Sequence, residues 1–130
     1  MLALRPLSAP LCGNQMALND IERKRIENVV GAYIQKHRPA PRIRPQLDIG
    51  FRVSGQSVEI FEIRPRWKEP NVKMERPVAK ATFVRSTSLW KIFWLRADLK
   101  WHGYEPLPLV GSIEKFLAAV EKDEYACFWG

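Results

Sequence analysis

Cysteine and histidine are scarce in this chain of 130 residues, with two of each. Cys12 and Cys127 lie near opposite ends at no metal-ligand spacing, which argues against a disulfide framework and for a reducing compartment. His37 and His102 each lack a second ligand at zinc spacing, so neither a metal nor a cofactor is expected. Glycine-rich phosphate loops and Gly-x-Ser-x-Gly elbows are also missing, which removes common nucleotide-binding and hydrolase signatures. No apolar run reaches the roughly 18 residues that span a bilayer, so no membrane is expected as partner. Residues 1–15 lack the continuous apolar centre of a secretory signal, and Leu11 stands where a lipoprotein signal needs a small residue before its cysteine. A cytoplasmic location follows as the expectation.

Acidic residues are the next deficit, 14 against 21 Lys and Arg, for a net charge of +7. The imbalance is uneven. Residues 1–45 hold eight basic and three acidic side chains, a surplus of five, which leaves only two for the other 85 residues. A basic front on a nearly neutral body suits a polyanionic partner, with nucleic acid favoured over a membrane surface. Apolar residues at 46% and charged residues at 27% permit a packed core in one domain.

Periodicity then orders the chain. Residues 1–15 show none and read as an unstructured N-terminal extension, or as untranslated sequence ahead of a start at Met16; residues 16–130 read as a single domain. A helix is predicted from Asp20 to Lys36, with Asn19 and Glu22 spaced as a capping box. Its apolar stripe is Leu18, Ile21, Ile26, Val29, Val30 and Tyr33, and Pro39 ends it. Lys36 to Pro45 carries four cations and three prolines without an acid, and reads as an extended connector. Leu47, Ile49, Phe51 and Val53 alternate as a strand. A glycine-first turn at Gly55 then pairs Val53 with Val58 and Arg52 with Glu59. That register puts Glu62 opposite Ile49 on the apolar side, where a carboxylate needs a partner.

Pro65–Pro77 reads as a loop and Val78–Arg85 as a third strand. Leu89–Leu95 is apolar on both faces, as a central strand is. Arg96-Ala97-Asp98 either continues that strand or bends it. A closing helix begins near Ser112 with Ile113, Phe116, Leu117 and Val120 at i, i+3, i+4 and i+7. The last six residues are too apolar to remain undocked. The sum is an α+β fold: an antiparallel sheet of four or five strands with an N-terminal and a C-terminal helix packed against it.

The runs Phe61–Trp67 (FEIRPRW), Trp90–Pro106 (WKIFWLRADLKWHGYEP) and Cys127–Gly130 (CFWG) are long and rich in tryptophan. In these runs the chain resembles a small bacterial family catalogued as a domain of unknown function, of the DUF3024 type, from Met16 onward. The resemblance implies a compact bacterial domain and supplies no catalytic residue.

Candidate functional residues come from the runs themselves. If the strand continues past Leu95, Trp90, Ile92, Trp94, Arg96, Asp98, Lys100 and His102 share one face, rings leading into charges. Arg64, Arg66 and Lys68, with Trp67 among them, repeat that theme at the end of the second strand. Trp90 and Trp94 are the expected core residues, Trp67 and Trp101 the expected surface ones. Stacking rings beside cations grip single-stranded nucleic acid. The candidate interface is therefore Arg38, Arg42 and Arg44 from the connector with Arg64, Trp67, Arg96, Lys100 and Trp101. Exposed tryptophans equally suit a protein-interaction or accessory module. Glu62 and Asp98 read as members of a polar network answering Arg64 and Arg96. A metal-dependent nuclease built on Asp98 and Lys100, with Glu62 or Asp48 as the second carboxylate, is the less favoured reading, and an enzyme is not expected. No residue argues for a particular oligomeric state.

Overall fold

A computed structural model describes residues 17–129. The N-terminal extension, Cys12 and the alternative start at Met16 lie outside the described residues. Helix α1 covers Asp20–His37, followed by β1 (Asp48–Ser54), β2 (Ser57–Pro65), β3 (Lys73–Val84), β4 (Leu89–Leu95), β5 (Trp101–Gly103), β6 (Leu109–Val110) and α2 (Ile113–Lys122). The strands form one antiparallel sheet in the order β1-β2-β3-β4-β5, with β6 also paired to β4. The α+β architecture with a helix at each end is thus the observed one, and β6 takes the sheet to six strands.

Local chemistry sets the ends of these elements. The Asn19 side chain accepts from Glu22 N at 2.8 Å while Glu22 Oε1 accepts from Asn19 N at 3.0 Å, a complete capping box. Ser112 caps α2 by accepting from Lys115 N at 3.3 Å. Gly55 takes φ +61° in the β1–β2 turn, a left-handed conformation that glycine adopts without steric cost. The resulting register pairs Val53 with Val58, Arg52 with Glu59 and Ile49 with Glu62.

Both helices cover one face of the sheet. Ile49 and Val53, Val58 and Ile60, Ala79 and Ala81, and Trp90 and Ile92 point toward Ile26, Val30 and Ile34 of α1 and Ile113, Phe116, Leu117 and Val120 of α2. Ile34 belongs to the buried stripe, whereas Ile21 is 82% exposed, because a position five residues before Ile26 lies about 140° around the helix from it, on the solvent side. The apolar tail docks as its composition requires. Asp123 accepts from the backbone N–H groups of Phe128 and Trp129 at 3.0 Å each, and the Trp129 indole donates to Val120 O at 3.1 Å.

Two segments depart from the sequence expectation. The Lys36–Pro45 stretch is not extended. Residues 41–46 fold into consecutive turns, with Ile43 N and Arg44 N bonded to Ala40 O and Leu47 N to Ile43 O. Local hydrogen bonding wins over the polyproline preference because three prolines still leave enough donors to close turns. The Pro65–Pro77 loop is also shorter than expected, since β3 starts at Lys73 and includes Pro77. Pro77 is tolerated because Val78 is a bulge residue, skipped between the pairs Ile60–Ala79 and Phe61–Pro77.

Arg38 and Asp48 join the end of α1 to the start of β1, through Nε to Oδ1 at 2.9 Å and Nη2 to Oδ2 at 2.6 Å. This fork holds the Asp48 carboxyl below its ordinary 3.8, with help from the Ile49 N–H. A depressed carboxyl stabilises the fold above its unfolded pKa and loses that contribution as pH falls through the folded value. Thermal melts are therefore expected to fall as pH drops below about 3.8. Asp48→Asn is expected to melt lower than the parent at neutral pH and to lose less on acidification. Parallel pH–melting curves for the two proteins check this.

Candidate functional site

β3 is paired with β2 along most of its length but with β4 only from Ala79 to Val84. At Pro77 the missing N–H and the neighbouring bulge end the second ladder. The β2–β3 hairpin and the β4–β5 hairpin therefore part, and a cleft of about 980 Å³ opens between them. Arg64, Trp67, Arg96 and Trp101 all line it. Met74, Arg76 and Leu99 line it as well, and Cys127 and Phe128 contribute from the tail. Three guanidinium groups thus face the cleft against one carboxylate, Glu75. Glu75 itself is engaged by Arg52 in a close ion pair.

The rings are held in different ways. Trp67 is 89% exposed on the β2–β3 loop, with Lys68 Nζ 5.5 Å from its ring. Trp101 is half-buried on β5, and Lys80 Nζ sits 5.0 Å from its ring and 5.1 Å from that of Phe93. Lys80, Phe93 and Trp101 stand on the sheet face opposite the helices, where Arg52 also lies 4.6 Å from the Phe61 ring. The cleft therefore runs onto a sheet face of alternating rings and cations. Trp90 is buried and Trp94 half-buried against the core, with Arg96 Cζ 5.5 Å from the Trp94 ring.

The strand does not continue through Asp98. Leu95 pairs with Trp101, and Arg96–Lys100 forms the turn between them, with Leu99 N bonded to Arg96 O at 2.8 Å and Leu99 at φ +63°. Asp98 Oδ1 accepts from Lys100 N at 3.0 Å, the local bond that favours a turn over a strand. Asp98 Oδ2 lies 2.8 Å from His102 Nε2, and this bond, followed by the one from Lys100 N, holds the Asp98 carboxyl below its usual range. Lys100 is exposed in the same turn and does not line the cleft.

Glu62 and Asp98 do not share a network. Glu62, 8% exposed on the helix side of β2, takes a 3.3 Å bond from Arg64 Nε, whereas Asp98 is exposed and bonded to His102. Arg96 acts on Asp98 only through space. Among the described residues no three His, Cys, Asp or Glu side chains cluster as metal ligands would. Burial pushes the Cys127 thiol above its ordinary value, away from nucleophilic chemistry.

The connector arginines stand apart from the cleft. Arg38 is committed to Asp48, Arg44 Nε donates to Pro39 O at 2.9 Å, and Arg42 is exposed. Sequence reasoning missed Met74, Arg76 and Leu99 because little in the chain marks where two hairpins separate. The proline inside a β-rich run was the one available signal.

No described helix is long and apolar enough to cross a membrane. Neither the curated proteins nor the solved structures hold a match to this chain. A protein-family model does match residues 18–130, and on that match the chain belongs to the family described as Domain of unknown function (DUF3024).

Proposed function

We propose that the cleft is a binding groove for single-stranded nucleic acid. The observation that carries this reading is the meeting of Trp67 and Trp101 with Arg64, Arg76 and Arg96 around one open groove of about 980 Å³. Bases stack on exposed indoles whatever their sequence, and guanidinium forks take phosphate oxygens. Lys80 beside Trp101 adds a cation on the adjoining sheet face. Fluorescence anisotropy with short oligothymidine and oligouridine strands is the test. With three arginines on phosphates, log affinity is expected to fall against log salt with a slope of about −2. A flat response between about 50 and 200 mM salt would sink the reading.

A second reading rests on the unpaired stretch of β3. Lys73 to Val78 has β2 alone as a ladder partner, beside exposed Met74 and Leu99. Such an edge takes an extended peptide as an added strand. That mode depends on backbone hydrogen bonds and apolar contact, so it is expected to be nearly indifferent to salt.

A further inference from the structure

Around the β5 edge from the cleft, on the helix side of the sheet, lies a second hollow of about 520 Å³. That volume is within the usual range for small-molecule sites, about 300–1,000 Å³. Trp94 and His102, paired across β4 and β5, form one wall. Glu105, Pro106 and Pro108 come from the chain that follows β5, and Cys127 from the tail. Arg96 lines both this hollow and the cleft, so its guanidinium stands where the two meet. Its Cζ lies 5.5 Å from the Trp94 ring, an attraction that holds the side chain at that junction.

His102 is oriented for proton transfer. Its Nε2 lies 2.8 Å from Asp98 Oδ2, and that carboxyl is held below its usual range, first by His102 itself. An ionised carboxylate only accepts, so in neutral His102 the proton sits on Nε2 and Nδ1 is a bare acceptor. Asp98 does not line the hollow; it fixes the ring from outside and leaves Nδ1 to whatever enters. Asp98 Oδ1 is anchored in turn by Lys100 N at 3.0 Å. Glu105, the other proton acceptor in the hollow, is exposed and has no such partner among the described residues. An oriented base beside a guanidinium is the pair that proton removal next to a phosphate requires.

We infer that Asp98, His102 and Arg96 make this junction a ribonuclease site that cuts a strand through its own 2′-hydroxyl. The inference rests on the strand-binding reading of the cleft, which brings a phosphate to Arg96. His102 Nδ1 takes the proton of the 2′-hydroxyl, and the freed electron pair bonds to the adjacent phosphorus. The bond from phosphorus to the 5′-oxygen breaks, its electron pair leaves with that oxygen, and water supplies the oxygen's proton. His102 then returns its own proton to the hydroxide so formed. The products are a 2′,3′-cyclic phosphate and a 5′-hydroxyl. Arg96 offers paired N–H groups to the non-bridging oxygens, where charge builds up. A DNA strand lacks the nucleophile and is bound whole.

The full chain is incubated with oligouridine and with oligothymidine, products are read by mass spectrometry, and binding is read by anisotropy on oligothymidine. Oligouridine is expected to give cyclic phosphate ends while oligothymidine stays intact. His102→Ala is expected to slow cleavage about 100-fold or more with oligothymidine affinity retained. Asp98→Asn keeps the Lys100 bond through its amide oxygen, but its amide N–H then faces Nε2, moves the imidazole proton to Nδ1 and removes the base. It is expected to slow cleavage about ten-fold or more at an unchanged melting temperature, a loss that a merely structural Asp98 would not produce. Three results would overturn the inference: oligouridine left intact, either variant cutting like the parent, or linear phosphate ends as the first product. Salt-dependent binding of oligothymidine in those cases leaves the strand-binding reading standing, whereas its absence removes that reading too.

Discussion

Phe116→Ala is expected to cost about 3–5 kcal/mol of folding stability. Phe116 is the largest side chain with no exposed surface, and it sits on α2 among Ile113, Leu117 and Val120. Its removal leaves a cavity under a sheet whose nearby residues, Ala79 and Ala81, are too small and too tied to the ladder to fill it. Helix α2 has only ten residues, too few to persist without packing, so the loss spreads to the whole helix. Domains are stable by only about 5–15 kcal/mol, which makes the change a large fraction of the total. Urea unfolding should show a much lower midpoint with an unchanged slope. A loss under about 1 kcal/mol would mean that α2 is not anchored through this residue.

Substituting both Trp67 and Trp101 by Ala is expected to lower affinity for single strands by about 30-fold or more, because each base–ring stack contributes about 1–3 kcal/mol. The two single variants are expected to differ in a second respect. Trp67 is almost wholly exposed, so Trp67→Ala should melt with the parent. Trp101 is half-buried beside Lys80 and Phe93, so Trp101→Ala should melt lower. Trp67→Phe keeps a ring and should retain most of the affinity. Parent-like binding by the double variant would remove the indoles from the interface. An affinity that falls only in step with stability would do the same. Replacing Arg38, Arg42 and Arg44 together is a poorer test, because it also breaks the fork to Asp48 and so confounds binding with folding.

The parts of the fold legible in the chain are those governed by near neighbours. Asn19 and Glu22 are three residues apart and satisfy each other's backbone donors, so the helix start can be read by eye. Gly55 between alternating apolar residues sets the hairpin register, and with it the side on which Glu62 falls. The spacing of Ile113, Phe116, Leu117 and Val120 likewise names the buried face of α2. Trp67 was placed on the surface and Trp90 in the core by residue character and position alone, and both are there. The turn at Asp98 was harder, since alternation of charge and ring imitates a strand until Leu99 adopts a left-handed conformation.

Sequence alone thus determined the helix caps, the Gly55 turn, the β1–β2 register and the α+β class, because each rests on patterns among near neighbours in the chain. Tertiary structure decided which cations are spent and which remain. Arg38 pairs across ten residues with Asp48, and Arg85 across 63 with Glu22, and no local pattern announces either meeting. It also decided that β3 parts from β4 at Pro77, which draws Arg64, Trp67, Arg96 and Trp101 into one cleft. Contacts between distant segments depend on how two hairpins bend around a shared core, and that bend is a property of the packed whole.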